Sequence, residues 1–272
     1  LLAGIEQDPN SFKLRLMLAE LYVNARRQQE AIETLEACLT LDDDPANPGI
    51  IQAKNALARL LLAMNKIEEA EKYVDEVITA NPKSVEGHFY KGNIYLSRGD
   101  GLNAISEFRT VVNEQPEFIE GYLRLAAAHL LNKEPQLAVD TLQNALKADP
   151  KSKNVRRALA RVYVARKDYP AAEEQLRKMV QLDPNDAAAR ADLGDLLLAQ
   201  KDTLGAEDQY RAVKRGAPQN ALGYLKMGQF YARQKEPEKA LAEFEEGYRR
   251  NPQSVPLLTN LVRLYVQHGR AE

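Results

Sequence analysis

The chain has 272 residues, 37 lysines and arginines against 39 aspartates and glutamates, and 44% hydrophobic residues, enough to build a core. Its net charge of −2 argues against a polyanion-binding surface, and a single cysteine, Cys38, excludes an internal disulfide framework and an all-cysteine metal site. No apolar run approaches the length that spans a bilayer.

Taken in chain order, the sequence is punctuated by proline. From Pro48 onward they stand at Pro82, Pro116, Pro150, Pro184, Pro218 and Pro252, each 34 residues after the last. Pro9 precedes Pro48 by 39 residues, one period plus five, which places an insertion near residues 44–50. A fixed period of this size predicts stacked supersecondary units. Residues 1–11 read as the end of a preceding repeat's second helix. Seven repeats follow over 12–254, at about 12–45, 51–84, 85–118, 119–152, 153–186, 187–220 and 221–254. Residues 255–272 read as the first helix of a further repeat, without its partner. Neither end resembles the polar cap that solenoids use, so the natural protein is expected to be longer.

Each repeat keeps the same small residue ten positions after its proline: Ala19, Ala58, Gly92, Ala126, Ala160, Gly194 and Gly228. Leucine or methionine precedes it except at Lys91. Three residues later come Tyr22, Leu61, Tyr95, His129, Tyr163, Leu197 and Tyr231. Every repeat then has alanine at Ala31, Ala70, Ala104, Ala138, Ala172, Ala206 or Ala240, and a large residue four further on, such as Phe108, Tyr210 or Phe244. Spacings of three and four define one helix face, so each repeat holds two amphipathic helices. The short residues let two antiparallel helices approach closely while Tyr, Phe and Leu fill the neighbouring space. Turns such as Arg98-Gly99-Asp100 separate them, and the Asn-Pro or Asp-Pro junction stops the second helix.

This pattern resembles the tetratricopeptide repeat family, whose 34-residue helix–turn–helix carries Leu-small-x-x-Tyr, Ala-x-x-x-Phe and Pro. The resemblance covers essentially the whole chain and implies an all-α, right-handed solenoid. Aromatic residues at the family's first large position are kept only at Tyr122 and Tyr224, and His129 replaces a tyrosine.

No catalytic constellation emerges. Gly99-x-Gly101-x-x-Ala104 mimics a dinucleotide fingerprint but sits between two helices instead of after a strand. Arg98-Gly99-Asp100 is a weak match to an adhesion tripeptide. His88, His129 and His268 show no metal spacing; His129 is expected to pack in a tyrosine slot. Cys38 aligns with Val77, Val111, Ala145, Met179 and Val213 and reads as a small buried hydrophobe. Asp42-Asp43-Asp44 lacks the alternating oxygens and bidentate Glu of a calcium loop and reads as a solvated acidic turn. No cofactor or metal is implied.

What remains is surface. The resemblance implies a concave groove lined by the first helices, which in the family receives an extended peptide or helix. By register its residues are Phe89, Tyr90 and Asn93 in the third repeat, Leu123 and Arg124 in the fourth, Arg157 and Arg161 in the fifth, Asp192 and Asp195 in the sixth, and Lys226 in the seventh. Phe89, Tyr90 and Leu123 offer an apolar anchor. Arg124, Arg157 and Arg161 offer a basic strip for carboxylates, which Asp192 and Asp195 are placed to neutralise. The family's two-carboxylate clamp is absent, with only Asn93 in one of its slots. Residues 1–48 carry −5 and the rest +3, too little for general nucleic-acid binding. The expected function is a non-enzymatic scaffold for a protein or peptide partner. The alternatives are the targeting arm of a larger enzyme, and self-association. The Ala-rich repeats are similar in style to bacterial or archaeal arrays, which implies a prokaryotic, most simply bacterial, cell, in the cytoplasm or the envelope, with export or secretion assemblies as the family analogy.

Overall fold

The computed structural model describes residues 1–267, which hold sixteen α-helices and no strand. They fall into two compact units, Leu1–Pro150 and Lys151–Glu272. In the first unit, α1 (Leu2–Gln7) precedes the pairs α2 (Phe12–Asn24) with α3 (Gln28–Glu36), α4 (Pro48–Ala63) with α5 (Ile67–Ala80), α6 (Val85–Ser97) with α7 (Gly101–Glu114), and α8 (Ile119–Leu131) with α9 (Pro135–Ala148). The second unit pairs α10 (Lys153–Ala165) with α11 (Tyr169–Leu182), α12 (Ala187–Ala199) with α13 (Thr203–Gly216), and α14 (Ala221–Arg233) with α15 (Pro237–Arg250), and then adds α16 (Val255–Gln267). Within a unit each helix packs on its partner, and each second helix packs on the next first helix. The fold of each unit is the all-α solenoid of antiparallel pairs that the period predicts.

The repeated small residue does what its position requires. A Cβ built on Gly92, Gly194 or Gly228 would stand 2.7, 2.5 or 2.4 Å from the ring of Phe108, Tyr210 or Phe244, each on the partner helix. The repeated alanines Ala31, Ala70, Ala104, Ala138, Ala172, Ala206 and Ala240 are all fully buried. Asp100, Asp168 and Asp202 cap second helices through Asn103, Ala171 and Gly205 N–H groups, and Ser84, Ser152, Asp186 and Asn220 cap first helices.

Pro48 departs from its role in the period. Pro82 and its successors follow a second helix, whereas Pro48 is the first residue of α4, with the Asn47 side chain capping Gly49 N–H at 2.7 Å. The extra residues therefore end as an added turn on α4. Before it α3 tightens into a 3₁₀ turn, Ala37–Thr40, that carries Cys38. The Asp42-Asp43-Asp44 segment is knitted internally: Asp42 accepts from Asp44 N–H at 2.8 Å and from the Asn47 side-chain amide at 2.7 Å. Cys38 is fully buried, which pushes its thiol pKa up. His129 is buried in its tyrosine slot with Nδ1 2.7 Å from Glu134 Oε2, a contact that holds the Glu134 carboxyl below its ordinary range. His268 lies outside the described residues.

Candidate functional site

The first helices carry the grooves, and each unit has its own. In the first unit a groove of about 960 Å³ runs between α2 and α4. Its floor is Leu35 and Leu60, and its α2 wall is Leu16, Met17 and Val23. Lys13, Glu20 and Arg59 stand exposed on its rim. Met17, a large apolar residue, is exposed on this wall and continues the apolar lining of the groove. The added turn of α4 shapes this end, where the Phe12 ring lies flat on Gly49 and a Cβ there would meet it at 2.4 Å.

In the second unit two hollows adjoin. One, about 360 Å³, lies between α10 and α12, floored by Leu176 and Leu196 and walled by Ala160, Val164, Ala165 and Ala199. Arg157, Arg161, Asp192 and Asp195 form its lip. The other, about 230 Å³, lies between α12 and α14 and is polar, with Asp195, Lys226, Gln229 and Arg233 around Tyr210 and Phe230.

The residues picked by register meet different fates. Phe89 is built into the core of the first unit, its ring 5.9 Å from Phe108, 5.4 Å from Phe118 and 6.1 Å from Tyr90. Tyr90 is half-buried against Ala58, Val74 and Ile94, and burial raises its phenol pKa. The Asn93 amide donates to the Phe89 carbonyl at 2.8 Å, and Leu123 is half-buried. Arg124 is taken up by Glu120 one turn away, Nε to Oε1 2.9 Å. In the second unit Arg157 Nε pairs with Asp192 Oδ2 at 3.1 Å, as the register suggests. Asp195 goes elsewhere: it accepts from Lys226 Nζ at 2.5 Å and from the Tyr210 hydroxyl at 2.7 Å. Burial, then this carboxylate, drive the Tyr210 phenol pKa far upward, so it stays a donor. Arg161 has no hydrogen bond or ion pair among the described residues.

Sequence reasoning missed the groove of the first two repeats. The same register applied there picks out Lys13, Leu16, Met17, Glu20 and Val23 with Gln52, Ala56 and Arg59, which are the groove's own lining. The signal was an apolar run at positions that should face solvent. Among the described residues no helix is long and apolar enough to cross a membrane, and no cluster of three or more His, Cys, Asp and Glu is placed to hold a metal ion.

Three tetratricopeptide repeat models match the sequence, one over 12–45, one over 95–162 and 130–180, and one over 55–118, 157–221 and 192–255, which by itself spans more than half the chain. The chain belongs to the tetratricopeptide repeat family. No curated protein matches it. Among solved structures it is similar to a tetratricopeptide repeat protein from Parabacteroides merdae, with a TM-score of 0.63 and 18% identity over 94% of this chain and 98% of that one. The C-terminal part of a repeat-containing protein from Cytophaga hutchinsonii gives a TM-score of 0.67 and 16% identity over 90% and 99%. Yeast Tom70 gives 0.66 and 15% over 98% of this chain and 57% of that one. At these identities the likeness is one of fold. The tetratricopeptide fold is in general a scaffold for protein–protein interaction, and the described residues offer it apolar hollows between first helices.

Proposed function

We propose that the chain is a non-catalytic scaffold that holds a segment of a partner protein against its first-helix faces. The observation that supports this most directly is the α2–α4 groove, about 960 Å³, in which exposed Met17 and half-buried Leu16 and Val23 face open space over a buried leucine floor. Apolar surface of this kind is lowered in free energy by about 25 cal/mol per Å² when a partner covers it. A photoreactive phenylalanine analogue at Met17 tests the reading in the full chain inside its source cells. The expected result is a crosslink to one defined partner, absent when the analogue stands at exposed Leu204 on α13 and lost on Ala56→Glu. Equal crosslinking from both positions, or none from Met17, overturns it. Crosslinking to a second copy of the chain decides instead for the self-association reading. A bacterial envelope setting rests on the style of the repeats alone; recovery of the chain with the cytosolic fraction overturns that part.

A further inference from the structure

The charges on the first-helix face of the second unit do not balance. Asp192 is answered by Arg157, and Asp195 by Lys226 and the Tyr210 hydroxyl. That leaves two guanidinium groups, Arg161 on the lip of the apolar α10–α12 hollow and Arg233 in the polar α12–α14 hollow, without a hydrogen bond or ion pair among the described residues. Gln229, beside Arg233, has no described side-chain partner either. Order along the face is thus cation, apolar slot, neutralised carboxylate, cation. The apolar slot, about 360 Å³, has small alanine walls and a floor of Leu176 and Leu196, space enough to admit a branched aliphatic side chain.

We propose that this face binds an extended acidic segment of a partner protein, in which one aliphatic residue enters the α10–α12 hollow and carboxylates on either side of it meet Arg161 and Arg233. Alternate side chains of an extended chain point the same way, about 7 Å apart. A pattern such as acidic–x–aliphatic–x–acidic puts the three side chains on one face, with forked guanidinium–carboxylate pairs giving register and the buried aliphatic group giving affinity. The two arginines act from the first and third of the three helices, so a segment lying along α12 alone does not satisfy both. The inference rests on the scaffold reading above and names the partner chemistry that this second face selects.

The probe is the peptide fluorescein-Ser-Glu-Ser-Leu-Ser-Glu-Ser-amide, labelled at its N-terminus, titrated with the full chain at low salt and read by fluorescence anisotropy. Saturable binding is expected, loosened about fivefold or more by Arg161→Glu and separately by Arg233→Glu, since each reversal replaces attraction by repulsion. Val164→Glu, at an exposed wall of the slot, is expected to weaken the same peptide, and replacing its leucine with serine to weaken it about tenfold. Both arginines and Val164 are exposed, so circular dichroism melts should match across the variants. No binding up to about 1 mM, equal binding to the variants, or equal binding of a lysine-for-glutamate peptide overturns the inference. If that happens while Met17 still crosslinks a partner, the scaffold reading stands and only the acidic pattern is lost; if both fail, both go.

Discussion

Lys91 stands where the other repeats have leucine or methionine, and the structure supplies the reason. Its ammonium, largely covered by α5 and α6, reaches Glu71 at 2.8 Å and Asp75 at 2.6 Å, while Arg98 grips both Glu71 oxygens at 2.9 and 2.6 Å. Two cations thus converge on one carboxylate. Arg98 above all, with Lys91 adding and burial opposing, holds Glu71 down from 4.5 to about 2. A depressed carboxylate contributes stability above its unfolded pKa and loses it as pH falls through the folded one. Glu71→Gln is therefore expected to lower the melting temperature by about 3 °C at pH 7, and the deficit should close between pH 4.5 and about 2. A deficit that stays constant across that window means the loss is packing, not charge. The close-approach glycines make a second residue-scale prediction. Gly194→Val drives a branched side chain into the Tyr210 ring and should cost about 2 kcal/mol in urea unfolding; a neutral result means α12 and α13 can part at that point.

At the scale of the helix pair, one detail recurs that the residue types conceal. Arg26, Asn65, Gly99, Lys133, Lys167, Lys201 and Lys235 all take left-handed backbone angles, φ between 58 and 76°. From Asn65 onward they are one period apart, each just beyond a first helix. The residue after each donates its N–H to a carbonyl five back, as from Glu134 to His129 at 2.8 Å and from Asp202 to Leu197 at 2.9 Å. Only one of the seven is glycine, the residue that adopts this conformation without a Cβ penalty. Lys133→Gly and Lys201→Gly are each expected to raise stability by about 0.5 kcal/mol, and Gly99→Ala to lower it by about 1 kcal/mol. Chemical denaturation of the three variants checks the signs, and loss of stability in both lysine variants would falsify the strain account. The same geometry disposes of two motif matches. Arg98 is committed to Glu71, Gly99 supplies the left-handed turn and Asp100 caps α7, so the tripeptide is spent on folding. Ala104 of the dinucleotide look-alike is a fully buried packing residue.

Across the whole molecule, stability in a stacked array is a sum of pair and neighbour terms. Phe108→Ala, which hollows the core of the first unit, should speed amide exchange in α6–α8 and leave α12–α15 protected; a loss of protection throughout means the two units unfold as one. How much of this was legible in the sequence follows from what repeats. The 34-residue period fixed helix count, pairing and the buried alanines, because a signal repeated seven times survives any single departure. The site was less legible because register says which positions line a groove and nothing about which side chains there are already engaged. Arg124 and Arg157 are consumed by neighbours and Phe89 by the core, while Arg161 and Arg233, alike in type, are not. The groove of the first two repeats was readable by the same rule, since Leu16, Met17 and Val23 stand at groove positions of α2.

The inserted turn of α4 has one more effect. A periodic backbone has no landmark of its own, so along it one helix pair succeeds another at the same 34-residue step. Among the described residues, the turn added to α4, with the Phe12 ring seated on bare Gly49 backbone, occurs at one junction. It works as a zero mark on a ruler. A segment that fills the α2–α4 groove is indexed against that junction, and sliding by one period would move it away from the added turn.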